Sequence, residues 1–243
     1  MSRKINYYGS YMSGIVQSGL LMYINSGIFD SYPTTGSDWY DLTANNYDWG
    51  LINSPTFSTD NNGLLLFNGV DNRAVQNTSP RLAINTSNPF TVQFVARLDS
   101  TFGGRFPFLG VFRTTGANPF FCYYGSGTVP VVAGLNFGIG STSYFRNVDP
   151  LPMDVFFQIT IEFLGGSVTD VTNWNLEIDS VPKTIVVGVA LRGYTNNFSY
   201  LGNDDAPSAD KAWKGTIPVV PIYSRLLTPT EKASNANFYN SIY

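Results

Sequence analysis

The chain contains no histidine, and that absence bounds its chemistry. Without imidazole there is no Ser-His-Asp or Cys-His relay and no His-ligated metal site. Acid-base work would fall to carboxylates. Glu177 and Asp179, in Trp174-Asn175-Leu176-Glu177-Ile178-Asp179, alternate on the polar side of a predicted strand, either as a working pair or as an ordinary solvated surface. The lone Cys122 lies between Phe120-Phe121 and Tyr123-Tyr124, which predicts a buried, unreactive strand thiol. Aromatic stacking is the other chemistry within reach. Trp39, Tyr40, Tyr47 and Trp49 would pack on pyranose rings if displayed together, or else fill a core. The loops Asn196–Tyr200 and Asp204-Asp205 are weaker candidates for a binding surface.

The elements that must position these residues are short strands. From Ser31 to Asp71, brief aromatic or aliphatic runs are separated by clusters of Gly, Pro, Asn, Asp and Ser, the punctuation of an all-β chain with tight connections. Phe90, Val92, Phe94, Ala96 and Leu98 share one face of a predicted strand. Between residues 155 and 163, Val155, Phe157, Ile159, Ile161 and Phe163 point inward, and Gln158, Thr160 and Glu162 outward. Further strands are expected near 64–68, 105–113, 119–124, 131–139, 184–190, 198–202 and 215–223. A helix is signalled near the end of the sequence. Thr228 takes the N-cap, Pro229 the first helical position and Glu231 the third, a capping box in which Thr228 is expected to matter more than Glu231.

Composition fits this reading. The 243 residues are 43% hydrophobic, enough for one large β domain, yet only 13% charged, about half the usual share. The surface must therefore be solvated by Asn, Ser, Thr and Gly. The net charge of −3 offers no phosphate-neutralising surface, which argues against nucleic-acid partners. No apolar run reaches the roughly 18 residues of a membrane span. The N-terminal sequence has a basic start but no apolar core, so the expectation is a protein made and assembled in a cytoplasm. Residues 1–18 lack periodicity and read as an arm preceding a domain at 19–243. In that arm Tyr7, Tyr8 and Tyr11 are candidate partner-docking residues, the alternative being that the arm adds an edge strand.

Gly19-Leu20, Ser31-Tyr32-Pro33, Gly36, Trp39-Tyr40-Asp41-Leu42, Gly50-Leu51, Ser54–Ser58, Asn62-Gly63 and Phe67–Asp71 follow one another in a familiar order. Near the other end, Trp213–Ile217 and Ile222–Glu231 form a matching closing motif. The chain thereby resembles the concanavalin A-like, laminin-G-type jelly rolls of tailed-phage and related viral structural proteins. The resemblance implies a two-sheet antiparallel jelly-roll sandwich with a short C-terminal helix. It implies a non-enzymatic virion structural protein, an external capsid decoration (cement) protein or head fibre. Partners would be other virion proteins, the major capsid protein first, or further copies of the chain. The alternative is a tail- or baseplate-associated receptor module, with Trp39, Tyr47 and Trp49 binding cell-surface glycans. Domains of this type often hold calcium, for which the candidate ligands are Asp41, Asn45, Asp71 and Asn72; otherwise these residues cap turns. Asn25 and Asn72-Arg73 stand where the family usually has acidic residues. Laminarinase-type glucanases share the fold and carry E-x-D-x-x-E on one strand; Glu177 and Asp179 begin that pattern, but position 182 is proline.

Overall fold

The computed structural model describes residues 14–76, 79–103, 107–115, 119–125, 134–140, 143–187, 199–203 and 208–243. In chain order the strands are β1 (Leu20–Asn25), β2 (Asp38–Trp39), β3 (Trp49–Ile52), β4 (Thr56–Ser58), β5 (Leu64–Asn68), β6 (Arg73–Gln76), β7 (Phe90–Leu98) and β8 (Phe108–Phe112). They continue with β9 (Phe120–Gly125), β10 (Gly134–Ile139), β11 (Ser143–Arg146), β12 (Phe157–Phe163), β13 (Trp174–Ile178), β14 (Val181–Pro182), β15 (Val186–Val187), β16 (Ser199–Leu201) and β17 (Lys214–Tyr223). A helix, α1 (Pro229–Asn240), follows. Sheet A runs β14-β13-β12-β7-β17-β5-β4, with β1 also on β17; sheet B runs β15-β11-β10-β9-β8-β16-β6-β3-β2. This is the all-β, two-sheet antiparallel sandwich that the sequence predicts.

The alternation in β7 explains how the sheets face each other. Phe90, Val92, Phe94, Ala96 and Leu98 join Phe112, Phe120, Cys122, Leu135 and Phe137 of sheet B in one large core. Trp174 stands at its centre, 4.9 Å from Phe163 and stacked on Phe120 at 6.1 Å between ring centroids. The inward residues of β12 are Phe157, Ile159, Ile161 and Phe163. Val155, expected inward with them, is 51% exposed, because the strand begins only after the left-handed turn at Asp154.

β17 is the long axis of sheet A. One edge pairs with β7, while the other pairs with β5 over Lys214–Thr216 and with β1 over Val219–Tyr223. Proline is poorly tolerated inside a central strand because it gives no N–H to the ladder. Pro218 falls where the register with β7 slips, between Thr216 and Val219, so the irregularity accommodates it at the switch of partners. Near the start of the strand, Gly215 has φ of +133°, and a Cβ there would lie 2.1 Å from the Arg97 carbonyl oxygen.

The outer face of sheet A is covered as well. Val95, Val219 and Tyr23 form a second apolar layer with Tyr239 of α1 and with Ile15. Residues 1–13 lie outside the described residues, but Ile15 is buried and the Val16 N–H donates to Asn235 Oδ1 at 2.9 Å. The chain therefore joins the domain before Gly19. The polar residues of β12 are not solvated as expected: Thr160 and Glu162 are buried beneath α1. Sheet B carries a third apolar group, Val75, Phe108, Val111, Phe121, Tyr123 and Tyr200, on the face opposite the main core.

The capping box is formed as predicted. The Glu231 N–H donates to Thr228 Oγ1 at 3.3 Å, and the Thr228 N–H to Glu231 Oε2 at 2.8 Å. Glu231 does more than expected, because both its oxygens also accept from the Arg225 guanidinium, at 2.8 and 2.6 Å. Arg225 first, and the Thr228 N–H second, hold the Glu231 carboxyl down at about 2. A carboxyl with a depressed folded pKa stabilises the fold above its unfolded value, and that stability is lost as pH falls through the folded one. Thr228→Ala should cost about 1 kcal/mol, read as a lower denaturant midpoint. Stability should decline between the ordinary glutamate value of 4.5 and about 2, and Glu231→Gln should remove part of that acid dependence.

Candidate functional site

The aromatic segment that looked like a stacking platform is interior. Trp39 and Trp49 are cross-strand partners on β2 and β3, with 0% and 1% exposure. The Trp49 indole N–H points at Met22 Sδ at 3.3 Å, and its ring meets Phe112 edge-on. Neither can receive a sugar from solvent. Tyr47 is half-buried and packs against the same core. Alternation on a two-residue strand gives no sequence signal for which side is core, and only the sheet pairing decides it.

Asp41 turns out to organise the loop that follows. Its carboxylate accepts the Tyr23 N–H at 2.9 Å, the Thr43 N–H at 3.0 Å, the Thr43 hydroxyl at 2.7 Å and the Tyr47 N–H at 3.0 Å. Nearby, the Leu42 N–H donates to the Tyr23 carbonyl and Asn45 Nδ2 to the Leu21 carbonyl, both at 2.8 Å. The edge of β1 away from β17 is thereby satisfied by a loop instead of a strand, one of the ways an exposed sheet edge is protected. Burial outweighs these donors and raises the Asp41 carboxyl above its usual range.

The other calcium candidates lie in a separate turn. Asp71 accepts from Asn68 Nδ2 at 2.9 Å and from Asn53 Nδ2 at 3.0 Å. Asn72 Oδ1 accepts the Asn68 N–H at 3.0 Å, and its Nδ2 donates to the Asn53 carbonyl at 2.6 Å. The structure does not converge the four residues on one point: Asp41 and Asn45 serve β1, whereas Asp71 and Asn72 tie the β5–β6 turn to the end of β3. Among the described residues no three of His, Cys, Asp and Glu are grouped to hold a metal ion. Their oxygens cap loops and turns.

Glu177 and Asp179 also part company. Asp179 has left β13 for a two-residue hairpin turn with Ser180, both at positive φ. Its carboxylate accepts the Gln158 N–H at 2.8 Å, and its own N–H returns to the Gln158 carbonyl. Glu177 stays on the strand and accepts from Lys232 Nζ of α1 at 2.5 Å; the same ammonium reaches Glu162 Oε2 at 3.2 Å. Burial works against the Lys232 charge, but the two carboxylates overcome it and hold the ammonium above its usual range. The expected exposed pair is thus one carboxylate locking α1 onto sheet A and another closing a turn. Sequence reading missed Lys232, whose place over β12 and β13 depends on how the helix docks.

Beside Glu177, at the open edge of sheet A, lies a cleft of about 450 Å³. Thr172, Asn175, Glu177 and Lys183 supply its polar rim over Val171 and Leu176. Cys122 is fully buried, and burial pushes its thiol well up. Tyr7, Tyr8 and Tyr11, residues 196–198 and the Asp204-Asp205 pair lie outside the described residues.

No protein-family model matches this chain, and no curated protein sequence matches it. Solved structures share the sandwich. Trypanosoma rangeli sialidase is similar with a TM-score of 0.60 at 17% identity over 93% of this chain and 33% of that one. This chain thus spans about a third of the sialidase's length. The binding domain of botulinum neurotoxin serotype G gives 0.60 at 13% identity, covering 91% and 51% of the two chains. Domain 4 of AbnA, a GH43 extracellular arabinanase from Geobacillus stearothermophilus solved in complex with arabinotriose, gives 0.59 at 15% identity, covering 89% and 98%. At these identities the likeness is one of fold.

With its carboxylate oxygens already accepting four donors, Asp41 should matter to stability through hydrogen bonds. Asp41→Ala should destabilise by about 2–4 kcal/mol, leaving buried donors unmet. Neither calcium nor a chelator should move the melting temperature of the parent; a calcium-dependent rise would restore these residues as ligands.

Proposed function

We propose that this chain is a non-enzymatic structural protein of a viral particle, an external capsid decoration (cement) protein or head fibre that presents a recognition sandwich. One observation carries the non-enzymatic part. Glu162, Glu177, Asp179 and Asp41, the carboxylates best placed for chemistry, are all engaged in holding elements together. The viral setting is supported by the ordered motifs from Gly19 to Asp71 and from Trp213 to Glu231. The expected partners are virion proteins, chiefly the major capsid protein, with homo-oligomer formation allowed by a sparsely charged surface. Localisation follows as the virion, assembled in a host cytoplasm.

A second reading, a tail- or baseplate-associated module for cell-surface glycans, is favoured by the arabinotriose in the complex of the similar arabinanase domain. The buried Trp39 and Trp49 cannot carry it, so any saccharide must use another surface.

Purified protein incubated with particles that lack it should bind them saturably if the first reading holds, and a glycan array should register binding if the second does. Under either reading, no β-glucan or arabinan should be hydrolysed. Hydrolysis that disappears in Glu177→Gln while folding persists would make the chain an enzyme.

A further inference from the structure

The cleft beside Glu177 lies where sheet A ends. β14 pairs with only Glu177 and Ile178 of β13, and the Lys183 N–H adds one bond, to the Leu176 carbonyl at 2.9 Å. Backbone groups alternate sides along an antiparallel strand. The Asn173 carbonyl accepts from Leu164 and the Asp179 N–H donates to Gln158, so the odd-numbered residues face β12. Trp174 and Leu176 therefore turn their backbone groups to the open edge. There the Trp174 N–H is already taken by the Val171 carbonyl, and the Leu176 carbonyl by Lys183. An added peptide strand would find the donors and acceptors it needs partly spent. A ligand here is better held by side chains.

The side chains that line it are fixed yet not fully used. Asp170 Oδ1 caps the 3₁₀ turn Val171–Asn173, accepting both the Thr172 N–H at 2.9 Å and the Thr172 hydroxyl at 2.8 Å. The hydroxyl proton is thereby committed, and Thr172 Oγ1 is left as an acceptor. Lys232 takes Glu177 Oε1, which leaves Oε2 for another donor. Asn175 is exposed, its Nδ2 only reaching Glu162 Oε2 at 3.4 Å. Lys183 Nζ is 3.8 Å from Asp149 Oδ2, too far for a hydrogen bond. Val171 and Ile185, both half-buried against the main core, add apolar surface to the lining.

We propose that this cleft binds a short neutral saccharide, with Glu177 and Thr172 accepting from its hydroxyls, Asn175 and Lys183 donating to its oxygens, and Val171 and Ile185 against its C–H faces. The inference rests on the glycan reading above and gives it a place in the fold. The cleft volume of about 450 Å³ falls within the range of small-molecule sites, roughly 300–1,000 Å³. Sugar hydroxyls both donate and accept, which matches a rim that offers both. Charge argues against an acidic sugar. Glu162, Glu177 and Asp149 face two ammoniums, Lys232 and Lys183, so no positive charge is left over for an anion. Nothing in this role asks Glu177 to exchange a proton, in keeping with a binding module.

The full chain is screened against neutral di- and trisaccharides of glucose, galactose, mannose and arabinose, beside oligogalacturonate, and the tightest neutral sugar is taken to calorimetry. It should bind at least tenfold more tightly than oligogalacturonate. Asn175→Ala and Lys183→Met should each weaken it at least fivefold, and Asn175→Trp, which fills the cleft, should abolish it, all with an unchanged melting temperature. Should Asn175→Trp melt early, the two smaller changes decide. Unaltered affinity in both Asn175→Ala and Lys183→Met overturns this site and leaves the glycan reading standing on another surface. Oligogalacturonate binding as tightly as the neutral sugar, or more so, overturns the neutral class. Binding to none of these saccharides overturns the proposal and the glycan reading together.

Discussion

Sheet A is closed on both faces, and most of what is particular to this molecule follows from that constraint. One face makes the main core with sheet B; the other lies beneath α1 and the segment around Ile15. A β-strand puts every second side chain on each face, so the polar residues of β7, β12 and β17 had to be satisfied within the protein. Most of them are: Gln93 Nε2 donates to Thr160 Oγ1 at 3.0 Å, and Asn235 Nδ2 lies within reach of both Gln93 Oε1 and the Tyr223 hydroxyl, at 2.8 and 3.0 Å, while Thr216 Oγ1 stays buried without a partner. The Lys232 ammonium completes the seam between Glu162 and Glu177. All but the Asn235–Tyr223 contact join residues far apart in sequence, so α1 is fixed in register on the sheet as well as in proximity to it.

The same constraint explains why chemically promising residues are occupied. A carboxylate under a covering helix needs a cation or donors, because an uncompensated charge there is costly. Glu162 and Glu177 meet that need with Lys232, and Asp41 meets it with backbone and hydroxyl donors. Satisfied in this way, these three carboxylates hold elements together.

Much of the fold could be read from local pattern. The alternation of Phe90–Leu98 gave β7 its buried face, and Thr228-Pro229-Thr230-Glu231 gave α1 its first turn, because both signals are complete within a few residues. The outward side of β12 was misread for the opposite reason. Glu162 and Thr160 look solvated in a strand pattern, and only the docking of a helix some seventy residues later buries them. Trp39 and Trp49 were ambiguous because two aromatic residues on short strands carry no periodicity. The site suffers most from this limit: Lys232, Asn235 and Arg225 acquire their roles through contacts that sequence distance hides.

The way the chain enters and leaves the sandwich has a geometric consequence. The Ser224 N–H donates to the Gly19 carbonyl, and Arg225 Nε to that of Ser18, at 2.8 and 2.9 Å. At the far end Tyr243 places its hydroxyl 2.9 Å from Asn25 Oδ1 on β1. The first and last described segments thus run side by side over sheet A. A pull applied to either of these two segments would act on the same side of the molecule and load α1 and β1 first. Sheet B would then lie on the far side of the core from the anchor.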